Sequence, residues 1–112
     1  MAKGERIRKR TRAEIRETMI QNLEERGLVE PVYRDMVEDY MTLWDQRQAL
    51  DDDIAERGPT VYDAKRGMLV DNISVSRRCQ VSHQMLAIYR DLGFRDQAVK
   101  AKVQAEDEDD AL

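Results

Sequence analysis

The sequence predicts a small all-α domain in which a long central helix packs in antiparallel fashion with two flanking helices. Three observations carry this. One stretch of nearly thirty residues, from Glu30 to Gly58, has an apolar stripe at helical spacing. Only two prolines and five glycines interrupt the 112 residues, so few positions force the chain out of a helix. Hydrophobic residues at 41% and charged residues at 38% give the balance of amphipathic helices that share a thin core.

The central helix is bounded by its own chemistry. Pro31 occupies a first helical position, where its missing N–H has no intrahelical partner, and Gly58 stands where a left-handed residue closes a helix. Met36, Tyr40, Leu43, Leu50 and Ile54 recur at steps of three, four and seven, and Tyr33, Val37 and Trp44 widen the stripe. At 1.5 Å per residue such a helix is about 40 Å long. A chain of this size leaves a lone monomer short of buried area, so self-association is expected. Tyr33, Tyr40 and Trp44, which spread the stripe beyond a single seam, are the candidate oligomer-interface residues.

The first flanking helix is expected to begin at Thr11. Thr11-Arg12-Ala13-Glu14 has the spacing of a capping box, Ile15, Met19, Ile20 and Leu23 form its apolar side, and Gly27 marks its end. Residues 1–10 then read as a flexible basic arm, and residues 11–95 as the helical core and oligomerisation domain. Thr60-Val61-Tyr62 and Met68-Leu69-Val70 are short apolar runs separated by a turn-like stretch. They suit a hairpin and an irregular loop equally. The third helix is expected over about Asn72 to Leu92, with Val75, Cys79, Ser82, Leu86 and Tyr89 on its apolar face and Met85, Ile88 and Leu92 alongside. Gly93 ends it, and Phe94 folds back onto its last turn. Residues 96–105 are expected to form a weak helix anchored only by Val99 and Val103, and residues 106–112 an acidic disordered tail.

The net charge of −4 conceals strong segregation. Residues 1–16 carry seven Lys/Arg against two acids, whereas Glu30–Arg57 carries nine acids against three arginines. Residues 58–105 carry eight bases against four acids, and 106–110 are all acidic. Lys3, Arg6, Arg8, Lys9, Arg10 and Arg12 match the cationic segments that neutralise nucleic-acid phosphates, and the lack of interleaved aromatic residues favours duplex phosphates over stacked single strands. Lys65, Arg66, Arg77 and Arg78 form a second candidate DNA-binding surface. Double-stranded DNA is the partner this charge favours, against a solubilising segment or one that pairs with the 106–110 acids of a neighbouring copy.

Enzymatic constellations are nearly absent. His83 and Cys79, four apart, supply at most half a zinc site, and Cys79 reads as a small buried residue with His83 near the rim. Asp51-Asp52-Asp53 lacks the glycine and terminal glutamate of a calcium loop and reads as a solvated helix face. No glycine-rich loop cradles a phosphate. The expectation is a protein with no catalytic residues, no metal and no cofactor. One cysteine permits no intrachain disulfide, and no apolar run reaches membrane-spanning length, so a cytoplasmic protein without membrane contact is expected.

The order of these pieces resembles phage terminase small subunits of the compact type encoded beside portal and large-terminase genes. The resemblance rests on the basic start KGERIRKRTRAEI and on two blocks, LVEPVYRDMVEDYMTLWDQRQALDDDIAERG and DNISVSRRCQVSHQMLAIYRDLGF. The elements are Asp39-Tyr40-Met41, Trp44, Ile54, Arg57-Gly58, Gly67, Asn72 and Leu92-Gly93-Phe94. Asp71-Asn72-Ile73 stands where members often have Asn-Pro, and Leu92-Gly93-Phe94-Arg95 where many have Leu-Gly-Leu-Thr. The resemblance implies a non-enzymatic protein of the infected host's cytoplasm. It would recognise viral DNA for packaging, assemble into a ring, and recruit or regulate the large subunit that carries ATPase and nuclease. The alternatives are a small transcriptional regulator using the third helix, and a helical interaction protein with no nucleic-acid role.

Overall fold

The computed structural model describes residues 2–95; the expected weak helix over 96–105 and the acidic tail lie outside the described residues. The elements in order are α1 (Lys3–Glu25), α2 (Pro31–Arg57), β1 (Thr60–Asp63), β2 (Met68–Asp71) and α3 (Ile73–Asp91). The fold is therefore mainly helical with a two-stranded antiparallel sheet, rather than all-α.

Helix α2 is the longest element and packs against both α1 and α3. Its bounds are those its capping residues dictate: Pro31 opens it, and Gly58, at φ 81°, donates to the Ile54 carbonyl and stops it. Both neighbours run antiparallel to it. On one side Glu24 pairs with Arg34 and Arg8 with Asp52; on the other Arg78 pairs with Asp51.

Helix α1 begins eight residues earlier than the capping box predicts. Thr11 is interior to the helix, its hydroxyl donating to the Ile7 carbonyl at 3.0 Å, so residues 3–10 are helical and not an irregular arm. The sequence of this stretch has good helix formers, and charges on α2 hold it, a cause that no apolar pattern in α1 records. The far end follows expectation. Gly27 at φ 77° donates to the Glu24 carbonyl and Leu28 N–H reaches the Leu23 carbonyl, which satisfies two of the helix's last carbonyls.

The core lies where the three helices meet. Met19, Ile20 and Leu23 of α1, Val37, Met41 and Trp44 of α2, Val81 and Met85 of α3, and Leu92 and Phe94 beyond it are buried. Each such side chain contributes about 1.5–3 kcal/mol relative to exposure. The buried line of α2 is thus Val37-Met41-Trp44. Met36, Tyr40, Leu43 and Leu50 sit half-buried to one side of it. The seam is rotated because α2 serves two partners, and the side that meets α1 is lined with acids. Helix α3 is rotated in the same way. Ser74, Val81 and Met85 point inward, whereas Val75, Cys79 and Leu86, expected on the core face, are exposed.

The segment between α2 and α3 is the hairpin. Thr60 pairs with Asp71, Val61 with Val70, Tyr62 with Leu69 and Asp63 with Met68. Asp63 shapes the turn: its carboxylate accepts from the N–H groups of Lys65 and Arg66, and Gly67, at φ 65°, donates to the Asp63 carbonyl. Val61 and Val70 are half-buried on the inner face, while Tyr62 and Leu69, each 67% exposed, cover the outer one.

Beyond α3, Gly93 takes φ 77°, and Phe94 returns to the core as expected. Arg26 ties this end to α1. Its guanidinium donates to the Leu92 carbonyl at 2.7 Å and to Asn22 at 2.8 Å, and lies 5.4 Å from the centre of the Phe94 ring. Glycine is favoured at Gly93 by its positive φ, and a Cβ there would stand 2.9 Å from Arg26 Nη1 and so push the guanidinium from its place.

Candidate nucleic-acid interface

The topology brings three basic segments to one end of the bundle. The start of α1 and the start of α3 reach the last turns of α2 through Asp52 and Asp51, and the hairpin leaves from the same end, its two ends joined where Asn72 N–H donates to the Pro59 carbonyl. The organiser is Asp51-Asp52-Asp53. Successive helical residues point about 100° apart, so each aspartate reaches different partners. Asp51 accepts from Arg78 of α3 at 2.6 Å, and Asp52 is gripped by both terminal nitrogens of Arg8 of α1 at 2.8 and 2.9 Å. Asp53 turns to the junction where the hairpin enters α3. The triplet stays solvent-accessible, with side-chain exposures of 41, 57 and 30%, as expected of a solvated helix face, but each of its carboxylates is also ion-paired.

The Asp53 junction is fully satisfied. Arg57 donates to both Asp53 oxygens at 2.6 and 2.7 Å, and the Ser74 hydroxyl donates at 2.7 Å. Asn72, 1% exposed, donates from Nδ2 to Asp53 at 3.1 Å and to the Gly58 carbonyl at 2.9 Å. Its Oδ1 accepts the Ser74 N–H at 3.0 Å, capping α3, and a nitrogen of Arg57 at 3.2 Å. The Arg57 bonds chiefly, with those of Ser74 and Asn72, hold the Asp53 carboxyl well below the usual carboxylate range. A carboxyl whose pKa is depressed on folding stabilises the fold above its unfolded value of about 3.9 and loses that effect as pH falls. The unfolding midpoint is therefore expected to drop on acidification below about pH 5, and Asp53→Asn to flatten that part of the profile, read by circular dichroism melts across pH.

The bases expected to meet DNA divide into two groups. Arg8 and Arg12 are engaged: Arg12 grips Asp45 at 2.8 and 3.1 Å, and Arg16, the next residue of that row, reaches Glu38 at 2.6 Å. These bonds raise the pKa values of both Arg8 and Arg12 and lower that of Asp52. Arg78 is engaged with Asp51, and Arg66 lies 3.6 Å from Asp63. Lys3, Arg6, Lys9, Arg10, Lys65 and Arg77 form no ion pair among the described residues. Lys3, Arg6 and Arg10, at steps of three and four, make one exposed stripe of α1 turned away from α2. Lys65 and Arg66 stand exposed at the hairpin turn.

Other expected sites fare differently. Cys79 and His83 are both exposed, so Cys79 is not the buried residue expected, because α3 presents a different face to the core. Among the described residues, no group of three or more His, Cys, Asp or Glu is placed to hold a metal ion, and no helix is long and apolar enough to cross a membrane. Of the three candidate interface aromatics, Trp44 is only 5% exposed and already belongs to the chain's own core. Tyr33 and Tyr40 are half-buried, and Tyr40 lines an open groove with Arg47, Ser82 and Leu86. Nothing in the sequence signals the Arg26 clamp or the Arg16 contact, since a base with an intramolecular partner looks like any other in a basic segment.

A family model described as phage terminase, small subunit, matches residues 13–110. The chain belongs to that family. The expectation drawn from the two sequence blocks is thus met, and the match spans α2, the hairpin and α3 in full. It begins at Ala13, so the basic half of α1, Lys3 to Arg12, precedes the matched segment. No curated protein and no solved structure matches this terminase small subunit.

Proposed function

We propose that this terminase small subunit is a non-enzymatic protein of the infected host's cytoplasm that binds double-stranded viral DNA for packaging and recruits or regulates the large ATPase/nuclease subunit. The observation that carries the DNA-binding part is the exposed stripe Lys3-Arg6-Arg10, at the end of the bundle that also presents Lys65 and Arg66. Such a stripe displaces counterions from phosphates and positions a duplex without reading its sequence. The connection ahead of α3 is a hairpin rather than the three- or four-residue turn of a helix-turn-helix, which disfavours the regulator reading.

Duplex-DNA titration across salt tests this. Lys3→Ala/Arg6→Ala/Arg10→Ala is expected to weaken binding and to reduce the slope of log affinity against log salt by about 3, near 0.9 for each phosphate no longer neutralised. Absence of salt-dependent retention by the parent protein overturns the reading. Ring assembly belongs to the same proposal, with Tyr33 and Tyr40 as contacts on the α2 flank. Light scattering behind size-exclusion chromatography reads it directly.

A further inference from the structure

The basic half of α1 is held to α2 in a way that the rest of the fold is not. Helix α1 presents Glu5, Arg8, Lys9 and Arg12 to α2, and all four are charged. The first apolar residue that joins the core is Ile15, half-buried, and the fully buried anchors begin at Met19. Ile7, the one large apolar residue earlier in the helix, is 53% exposed. Between these charged side chains and Trp44, Gln48 and Ala49 lies an open space of about 310 Å³, where packed side chains would otherwise be. The helix start adds little hold of its own: Ala2 makes no side-chain cap bond, and Gly4 sits in the first turn.

What remains is the pair of bidentate bonds, Arg8 to Asp52 and Arg12 to Asp45. All four side chains are a third or more exposed, so these are solvent-screened contacts that salt weakens. A guanidinium grips a carboxylate and a phosphate with the same two-pronged geometry. A DNA backbone arriving at this end therefore offers Arg8 and Arg12 a like-for-like replacement for Asp52 and Asp45.

We propose that residues 3–12 of α1 form an electrostatic latch. In the closed state Asp52 and Asp45 occupy Arg8 and Arg12, leaving Lys3, Arg6 and Arg10 to make the first encounter. A duplex backbone then displaces the two aspartates, and Arg8 and Arg12 add their charge to that of the outer stripe. The second half of α1 stays seated through Met19, Ile20 and Leu23, so opening needs no loss of core. The acids of α2 thus set the threshold for tight binding, by holding part of the cationic segment until a phosphate row of sufficient charge arrives. The inference rests on the DNA-binding reading above and concerns the regulation of that site.

The test compares three full-length proteins: the parent, Asp45→Asn/Asp52→Asn, and Asp35→Asn/Asp39→Asn. The last loses the same charge from exposed α2 positions that have no ion-pair partner among the described residues. Each is titrated with duplex DNA at low and moderate salt, and the amides of residues 3–12 are followed by hydrogen exchange without DNA. The latch variant is expected to bind about three- to tenfold more tightly than the control variant, as the binding-competent fraction rises. Its residues 3–12 are also expected to exchange several-fold faster, while α2 and α3 are unchanged. Equal affinity of latch and control variants, with DNA binding measurable in all three, overturns the latch and leaves the DNA reading standing. No DNA binding by any of the three overturns the DNA reading and the latch with it.

Discussion

Trp44→Ala is expected to destabilise the fold by about 3–5 kcal/mol, the loss typical of removing a buried indole. The ring is 5% exposed and sits in the buried line with Val37 and Met41, where α1 and α3 both cover α2. Because the indole is enclosed by its own chain, the loss should appear as a lower unfolding midpoint in thermal melts. The self-association proposed above, measured well below that midpoint, should not depend on this residue. A variant that falls apart into subunits while keeping its melting temperature would show that Trp44 meets another subunit instead. Tyr40→Ala makes the contrasting case, since Tyr40 keeps an open flank toward the groove it shares with Arg47 and Leu86.

Asn72→Ala is the second large effect. One side chain caps α3, fastens the end of α2 through the Gly58 carbonyl, and completes the ligand shell of Asp53. Its removal loses a helix cap, worth about 1 kcal/mol, and leaves buried polar groups unpaired at about 1–3 kcal/mol more. A total near 3 kcal/mol corresponds to a fall of roughly 10–20 °C in the melting temperature of a domain this size. Asn72→Asp separates the hydrogen-bonding role from mere volume. It keeps the size but sets a second carboxylate beside Asp53, so one of the two carboxyls is pushed above the usual range. A carboxyl with a raised folded pKa loses its stabilising effect as pH rises through that value. The Asp variant should therefore regain stability on mild acidification, whereas the Ala variant should not. Equal melting of both variants at all pH values would reduce Asn72 to a space-filling residue.

The parts of this fold that are legible in the sequence are those that a residue type dictates locally. Pro31 and Gly58 bound α2 because proline lacks an N–H and glycine tolerates positive φ, and Gly27 closes α1 for the second of these reasons. The family, too, is readable from the two helical blocks. What is not legible is decided by partners. Thr11 looks like a cap, yet the helix continues upstream through it to Arg8, which reaches an acid 44 positions away along the chain. The buried faces of α2 and α3 each lie part of a turn from where the apolar spacing puts them. In both helices half-buried residues such as Tyr40, Leu43 and Tyr89 flank the true seam and are as apolar as the core itself. Asp51-Asp52-Asp53 is opaque for a related reason: three identical neighbours carry no hint that one reaches Arg8, one Arg78 and one the junction ahead of α3.

That triplet also determines where the chain tolerates a change in length. A single residue inserted into α2 ahead of Asp51 rotates everything beyond it by about 100° relative to the core line. The aspartate that meets Arg8 would then turn toward another helix, and the junction around Asn72 would receive the wrong side chain. Two elements and a cap would lose register in one step, which no compensating point substitution restores. The four-residue turn between Asp63 and Met68 carries no such obligation to the helices. An insertion there is expected to leave the helices in register and to displace only Lys65 and Arg66 of the proposed DNA surface.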